Sequence, residues 1–99
     1  MVFYNVFCGH GGTKLATAIV EEQLRAVVNS SLHVREIRYA TIGVARIAAA
    51  VETICGTIGA RCTHLGHAEK GSELQTLVPL HKYCTTNPEA TVAYIHDKG

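Results

Sequence analysis

The sequence has no excess of either charge, no long apolar run and very little aspartate. Nine basic and eight acidic side chains nearly balance, so charge favours neither DNA, RNA nor an anionic membrane as a partner. No apolar run reaches the roughly 20 residues that cross a bilayer; residues 44–51 come nearest, and Arg46 interrupts them. Asp97 is the first aspartate in the chain. We therefore expect no nucleic-acid and no membrane partner, while the sequence leaves a protein partner unknown.

A secretory signal and a disulfide framework are also missing from the sequence. Apolar residues follow Met1 directly, without a basic lead or a small-residue cleavage site, so we predict a cytosolic protein. Four cysteines are present, at Cys8, Cys55, Cys62 and Cys84. With 47% hydrophobic residues, the chain can build a core without disulfides. We expect all four thiols to be reduced and buried.

Hydrophobic periodicity and glycine breaks divide the 99 residues into seven elements. Strands are predicted at 2–8, 33–41, 61–65 and 90–95, and helices at 15–28, 45–58 and from Gly71–Ser72 to Cys84. Strict alternation of strands and helices is typical of α/β domains with a mainly parallel sheet and helices on its faces. We predict a single Rossmann-like β-α-β-α-β-α-β domain.

Local patterns add four finer expectations. Residues 33–41 mix charged and apolar side chains, which favours an edge strand with one solvated face. Residues 90–95 are almost continuously apolar, which favours a central strand covered on both faces. Ser72 and Gln75 have the spacing of a capping box. Pro79 is expected to kink the third helix or to divide it.

Ligands bind parallel sheets of this kind beyond the carboxyl ends of the strands. The first strand is followed there by Gly9, His10 and Gly11. Free amides at a helix start attract anions, and glycines let the backbone approach them. However, the segment completes neither the dinucleotide nor the Walker fingerprint. A plain flexible turn is the favoured alternative to an anion site.

The last strand is followed by His96, Asp97, Lys98 and Gly99. Lysine can contact a phosphate, and aspartate can contact a sugar hydroxyl or a divalent cation. We predict that these residues face a ligand crevice at the carboxyl end of the sheet. The alternative is a solvated turn.

Cysteine and histidine, which bind zinc, occur at Cys62, His64, His67, His81 and Cys84. Cys62 and His64 would share a strand face, but His67 is expected in a loop and Cys84 on the apolar stripe of a helix. Buried thiols and surface histidines are therefore favoured over a zinc site. A thiolate pair of Cys8 with His10 is disfavoured, because adjacency alone does not position a base.

Several motifs, in this order and spacing, resemble the N-terminal segment of a glycosyltransferase-like (nucleotide-diphospho-sugar transferase) family of microalgae. The front of the chain contributes FYNVF at 3–7, IVEEQL at 19–24 and YATIG at 39–43. The second half contributes CTHLGH at 62–67, Gly71 with Glu73, Thr76–Leu77, Leu80, Tyr83–Cys84 and YIHDKG at 94–99.

The resemblance implies a nucleotide-sugar-binding half built from the first βα units. It implies that His96, Lys98 and Gly99 begin a longer motif, and that Gly71 and Glu73 match a family position at the start of the third helix. Two departures are Asp97, where the family often has a small polar residue, and the proline within that helix. Ligand contacts are thus expected at Gly9, His10, Gly11, Gly71, Glu73, His96, Asp97, Lys98 and Gly99.

The resemblance also implies that the chain stops short, at Gly99, of the family's catalytic part. Glycosyl transfer needs a stabilised leaving group and a base, and no Asp-x-Asp motif occurs here. We expect a segment that is inactive alone and holds no cofactor, although a full-length relative would use Mn²⁺ or Mg²⁺. The alternatives are a non-catalytic α/β module for a small ligand or a protein, and a truncated relic.

Overall fold

Seven elements alternate along the chain, as the periodicity predicts. The computed structural model describes residues 1–8, 13–30 and 36–97, the side chains of 13–16 excepted. The elements are β1 (Val2–Cys8), α1 (Thr13–Val28), β2 (Ile37–Gly43), α2 (Ala45–Ile58), β3 (Cys62–Ala68), α3 (Leu74–Thr86) and β4 (Ala93–His96). Within those ranges, no helix has the length and apolarity that crossing a membrane requires.

The four strands form one parallel sheet in the order β3-β2-β1-β4. β1 and β2 pair along their whole lengths, from Val2 opposite Ile37 to Cys8 opposite Gly43. The sheet grows from β1 through β2 to β3, and the chain then returns across it to place β4 on the other side of β1. Right-handed crossovers consequently put α1 and α2 on one face and α3 on the opposite face. The predicted Rossmann-like α/β fold is confirmed.

The main core lies between the sheet and the helices α1 and α2. Tyr4 and Val6 of β1 pack there with Leu24 of α1 and Val51 of α2, and all four side chains are completely buried. Apolar residues at helical spacing on α1 and α2 supply this face, since each helix buries one stripe and leaves the other in water.

Among the described elements, α3 covers the opposite face, and polar contacts contribute to its packing. Phe3 meets the ring of Tyr83 at 5.7 Å between centroids. The buried Thr76 hydroxyl donates to Oδ1 of the buried Asn5 at 2.7 Å. Leu74 and Val78 of the same helix remain 61% exposed.

Two expectations about strand position are wrong. β2 is an interior strand, and β4 lies at the edge of the sheet. An interior position of β2 is possible because the charge of Arg38 has partners. Its Nε lies 3.3 Å from Glu36 Oε1, and its guanidinium lies over the Tyr83 ring at 5.1 Å. β4 has only four residues and pairs with β1, so its apolar side chains are half-buried.

Element boundaries differ most at β2 and β3. The described part of β2 begins at Ile37 and continues to Gly43, beyond the predicted end at 41; residues 31–35 lie outside the described ranges. β3 runs to Ala68 instead of 65, so that His67 belongs to the strand and not to a loop. Continued pairing with β2 accounts for the extra length.

Helix α3 also departs from its predicted details. It continues through Pro79 as one element, so it is not divided there. Glu73 occupies the N-cap position without a side-chain cap bond, while Ser72 Oγ accepts the Leu74 amide at 3.3 Å. The predicted capping box is therefore wrong, and the Gln75 side chain lies against Gly71 instead.

A disulfide joins Cys55, in the last turn of α2, to Cys62, the first residue of β3. Gly59 adopts a left-handed conformation between them, with φ of 71°, and turns the chain back. The two Cα atoms come within 6.3 Å, inside the range that a disulfide bridges. Our prediction of reduced thiols is wrong for this pair. Cys8 and Cys84 are free, the first buried and the second half-buried.

Two glycine substitutions should change stability in opposite directions. Gly43 has φ of 115°, and a Cβ there would overlap the carbonyl oxygen of Cys8, so Gly43→Ala should lower the free energy of unfolding by about 2 kcal/mol or more. Gly56 is helical with open space around it, so Gly56→Ala should raise it by about 0.5–1 kcal/mol. Urea unfolding of both variants tests this, and equal effects would contradict the assigned backbone conformation.

Removing the disulfide should destabilise the fold, because the unfolded chain gains the conformational freedom that the closed loop restricts. For a sequence separation of 7 residues, the double variant Cys55→Ala/Cys62→Ala should lose about 2–3 kcal/mol. Mass spectrometry of the denatured wild-type protein should show two alkylated cysteines before reduction and four after it. Cys84→Ser is the matched control, because it removes a free thiol and keeps the disulfide. The free energy of unfolding of this variant should still fall when reductant is added. Four reactive thiols before reduction would refute the pairing.

Candidate functional site

The strand order reverses at β1, which is the position where parallel sheets generally bind ligands. β1 lies between β2 and β4. The helices that lead to these two neighbours, α1 and α3, cover opposite faces of the sheet. Such a switch point opens a gap beyond the carboxyl ends of the strands. β1 and β4 end there, with Asn5 aligned to His96.

Two residues predicted from the sequence meet at this edge. His96 ends β4 and Glu73 precedes α3, and His96 Nδ1 lies 3.8 Å from Glu73 Oε1. Their side chains are 42% and 43% exposed, so both polar groups remain available to a solute. A contact this exposed contributes little to stability.

Tyr94 lies beside this pair and is half-buried. Its ring lies 5.8 Å from the His96 ring, at an interplanar angle of 29°. Burial, and then the negative charge of Glu73, raise the pKa of Tyr94 to about 12. Its hydroxyl is therefore protonated at neutral pH, and the hydroxyl oxygen is buried without a hydrogen-bond partner among the described residues.

Asp97 differs from the expectation that it faces the crevice. It is 4% exposed, and its Oδ1 accepts the Phe7 amide at 2.6 Å. Its own amide donates to the Asn5 carbonyl at 3.3 Å. The side chain thus holds the end of β4 against β1, because it satisfies a backbone donor that the short strand leaves unpaired.

Burial of this carboxyl affects its neighbours. Burial raises the pKa of Asp97, although the Phe7 amide opposes the shift. Burial and the nearby Asp97 charge raise the pKa of the Cys8 thiol to about 11, and the same causes raise the pKa of Tyr4. Cys8 is therefore a neutral thiol near pH 7, which argues against a nucleophilic role.

Tyr4 also links the core to the strand end. Its hydroxyl donates to Gln23 Oε1 in α1, and Gln23 Nε2 donates to the His96 carbonyl at 3.4 Å. The backbone of His96 is thereby held by α1 while its side chain stays outside.

Of the other predicted positions, the structure describes Gly71. Gly71 is exposed, and the covering Gln75 side chain lies 3.2 Å from where a Cβ would be. Gly9, His10, Gly11, Lys98 and Gly99 lie outside the described residues. Within the described ranges, no three His, Cys, Asp or Glu side chains are close enough to hold a metal ion.

Sequence reasoning missed Asn5. It lies on the same face as its register partner His96, completely buried. Its Oδ1 accepts from Thr76, but its Nδ2 has no hydrogen-bond partner among the described residues. An asparagine within the apolar strand VFYNVFC is a signal that could have identified it, since buried polar groups need partners.

Comparison with known families gives one match. A family model described as a domain of unknown function, DUF8361, matches residues 3–99. Comparisons with curated proteins and with solved structures gave no match.

Substitutions of Asp97 should separate its hydrogen bond from its charge. Asp97→Ala leaves the Phe7 amide without its acceptor, so the free energy of unfolding should fall by about 1–3 kcal/mol. Asp97→Asn keeps an acceptor and should be much milder.

The same carboxyl should make stability depend on pH. Because its pKa is raised in the folded protein, its contribution is full below the unfolded value of about 3.9 and declines as the pH rises through the folded value. Urea unfolding between pH 3 and 7 should show this decline in wild type and its loss in Asp97→Asn. An identical pH dependence in both proteins would contradict the burial of the charge.

Proposed function

The chain belongs to the DUF8361 family, and we propose that it binds the nucleoside-diphosphate part of a nucleotide-sugar at the carboxyl ends of β1 and β4. In this proposal the chain supplies the nucleotide-sugar-binding half of a glycosyltransferase-like domain and is not catalytic alone. The observation that carries the proposal is the exposed His96–Glu73 pair, at the point where the strand order reverses.

The chemistry of the pair suits a hydroxylated ligand. The Glu73 carboxylate is an acceptor for ribose or sugar hydroxyls, and the His96 imidazole can donate or accept. Both groups are nearly half exposed, so a ligand can bind without first displacing protein. The half-buried Tyr94 ring beside His96 adds apolar surface.

The supporting residues hold the pair in place. Register pairing with Asn5, and the link from Gln23 to the His96 carbonyl, fix the backbone of β4. On the other side, Glu73 immediately precedes α3, whose Thr76 hydroxyl is anchored on Asn5. Both halves of the site are therefore held by Asn5, β4 through its backbone and α3 through its side chain.

Catalysis finds less support at this edge. One carboxylate and one imidazole are exposed there among the described residues, while Asp97 is turned inward and bonded to Phe7. A glycosyl transfer would need leaving-group stabilisation in addition to a base. Binding is accordingly the function that we assign to this chain.

Thermal unfolding of the 99-residue protein with a panel of nucleoside diphosphates, with and without Mn²⁺, tests the proposal. At a ligand concentration 100 times Kd, binding stabilises the fold by about 2.7 kcal/mol. His96→Ala and Glu73→Ala should each weaken binding about tenfold, because each removes a polar contact worth about 1–1.5 kcal/mol.

The matched control is His81→Ala, which changes an exposed histidine on α3 away from the pair and should bind as wild type. Inorganic phosphate should stabilise the protein less than the diphosphates do. No stabilisation by any member of the panel, or equal losses in all three variants, would overturn the proposal.

A further inference from the structure

Two histidine rings and a threonine hydroxyl converge on the α1–α2 face of the sheet, away from the His96–Glu73 pair. His64 Nε2 lies 2.9 Å from Thr41 Oγ1, and His67 Nδ1 lies 2.8 Å from the same oxygen. The two ring nitrogens are thus no farther apart than the sum of these distances. From this convergence we infer that Thr41, His64 and His67 bind a divalent transition-metal ion of the class that prefers imidazole.

A β-bulge produces the convergence. Residues three apart in a regular strand point to opposite faces of the sheet. Pairing between β2 and β3 shifts after Tyr39, so that His64 aligns with Tyr39 while His67 aligns with Thr41. The extra residue, Leu65, turns the two rings to one side. Bulges are over-represented beside functional sites for this reason.

The three groups are held in different ways that suit a ligand site. Thr41 is completely buried on the interior strand β2, so its oxygen has a fixed position. The His64 ring stacks on Tyr39 at 4.7 Å, with an interplanar angle of 8°. Both histidines are nevertheless exposed on the edge strand, which gives an ion a route from solvent.

Without an ion, ordinary hydrogen bonds join these groups. The Thr41 hydroxyl donates one hydrogen bond and accepts up to two, so the Gly66 carbonyl at 3.4 Å and the two ring nitrogens fill that capacity. An ion would replace the two ring contacts. A pair of imidazoles on one face of the sheet suits Zn²⁺, Ni²⁺ or Cu²⁺, and the hydroxyl oxygen lies beside both rings.

The distances are compatible with coordination. With metal–nitrogen bonds of about 2.1 Å and a metal–oxygen bond of about 2.2 Å, the observed nitrogen–oxygen separations correspond to angles of roughly 80–85°. Such angles suit an octahedral or tetragonal ion whose other positions hold water. Cys62 is not part of the set, because its sulfur is bonded to Cys55.

Calorimetric titration of the tag-free protein with NiCl₂ and with ZnCl₂ tests the inference. Wild type should bind one equivalent, and His64→Ala and His67→Ala should each weaken binding about tenfold or more. His81→Ala and His96→Ala, which change exposed histidines elsewhere, should stay within about twofold of wild type.

Fold integrity is checked by thermal unfolding without metal, in which His81→Ala and His96→Ala should match wild type. Thr41→Ser keeps the hydroxyl and should retain binding. Undiminished binding in His64→Ala and His67→Ala, equal weakening in all four histidine variants, or no binding by wild type would each overturn the site. The nucleotide experiment with His96 and Glu73 is independent of all three outcomes.

Discussion

The position of β1 in the middle of the sheet determines nearly everything else in this domain. It pairs with β2 along seven residues and with β4 along four. Its alternate side chains face two different layers, with Tyr4 and Val6 toward α1 and α2 and Phe3 toward α3. A slip of one residue would move each set into the wrong layer, because side chains alternate along a strand. The register of β1 therefore places both the core and the strand-end site.

The proposed binding site lies where this order is least complete. β4 is short and lies at the edge, and its last residues are held by polar contacts with β1 and α1 more than by apolar packing. The result is a site whose backbone is fixed while the side chains of His96 and Glu73 remain in solvent. The second cluster, at His64 and His67, follows the same principle on the opposite edge, where a buried Thr41 positions two exposed rings.

Local patterns were sufficient to predict the element types, and tertiary contacts explain what they could not predict. Helical spacing in α2 and the Gly59 stop depend on neighbouring residues, so they could be read from the chain. The order of the strands could not, since the charge of Arg38 is neutralised by Glu36 and covered by Tyr83, which lies far along the sequence. The apolar residues of β4 were misread because an edge strand can also be half-buried.

The residues of the proposed site were expected only in part, because their positions also depend on tertiary contacts. Position after a strand identified His96, and the family resemblance singled out Glu73; the structure brings them together. The inward turn of Asp97 depends on the unpaired Phe7 amide, which has no signature in the sequence. The bulge that unites His64 with His67 and the contact of Cys55 with Cys62 likewise depend on pairing between elements. The glycosyltransferase-like resemblance and the cytosolic location stay predictions.

The disulfide makes the two edges of the sheet mechanically unequal. On one side, the disulfide ties the first residue of β3 to the last turn of α2, so the start of that strand cannot leave the sheet without moving a helix of the main core. On the other side, β4 is held by four paired residues and a few hydrogen bonds. Local opening takes the path with the fewest buried contacts. A ligand that bridges His96 and Glu73 would connect that edge to the start of α3. Its binding would therefore slow amide hydrogen exchange more in β4 than in the other strands.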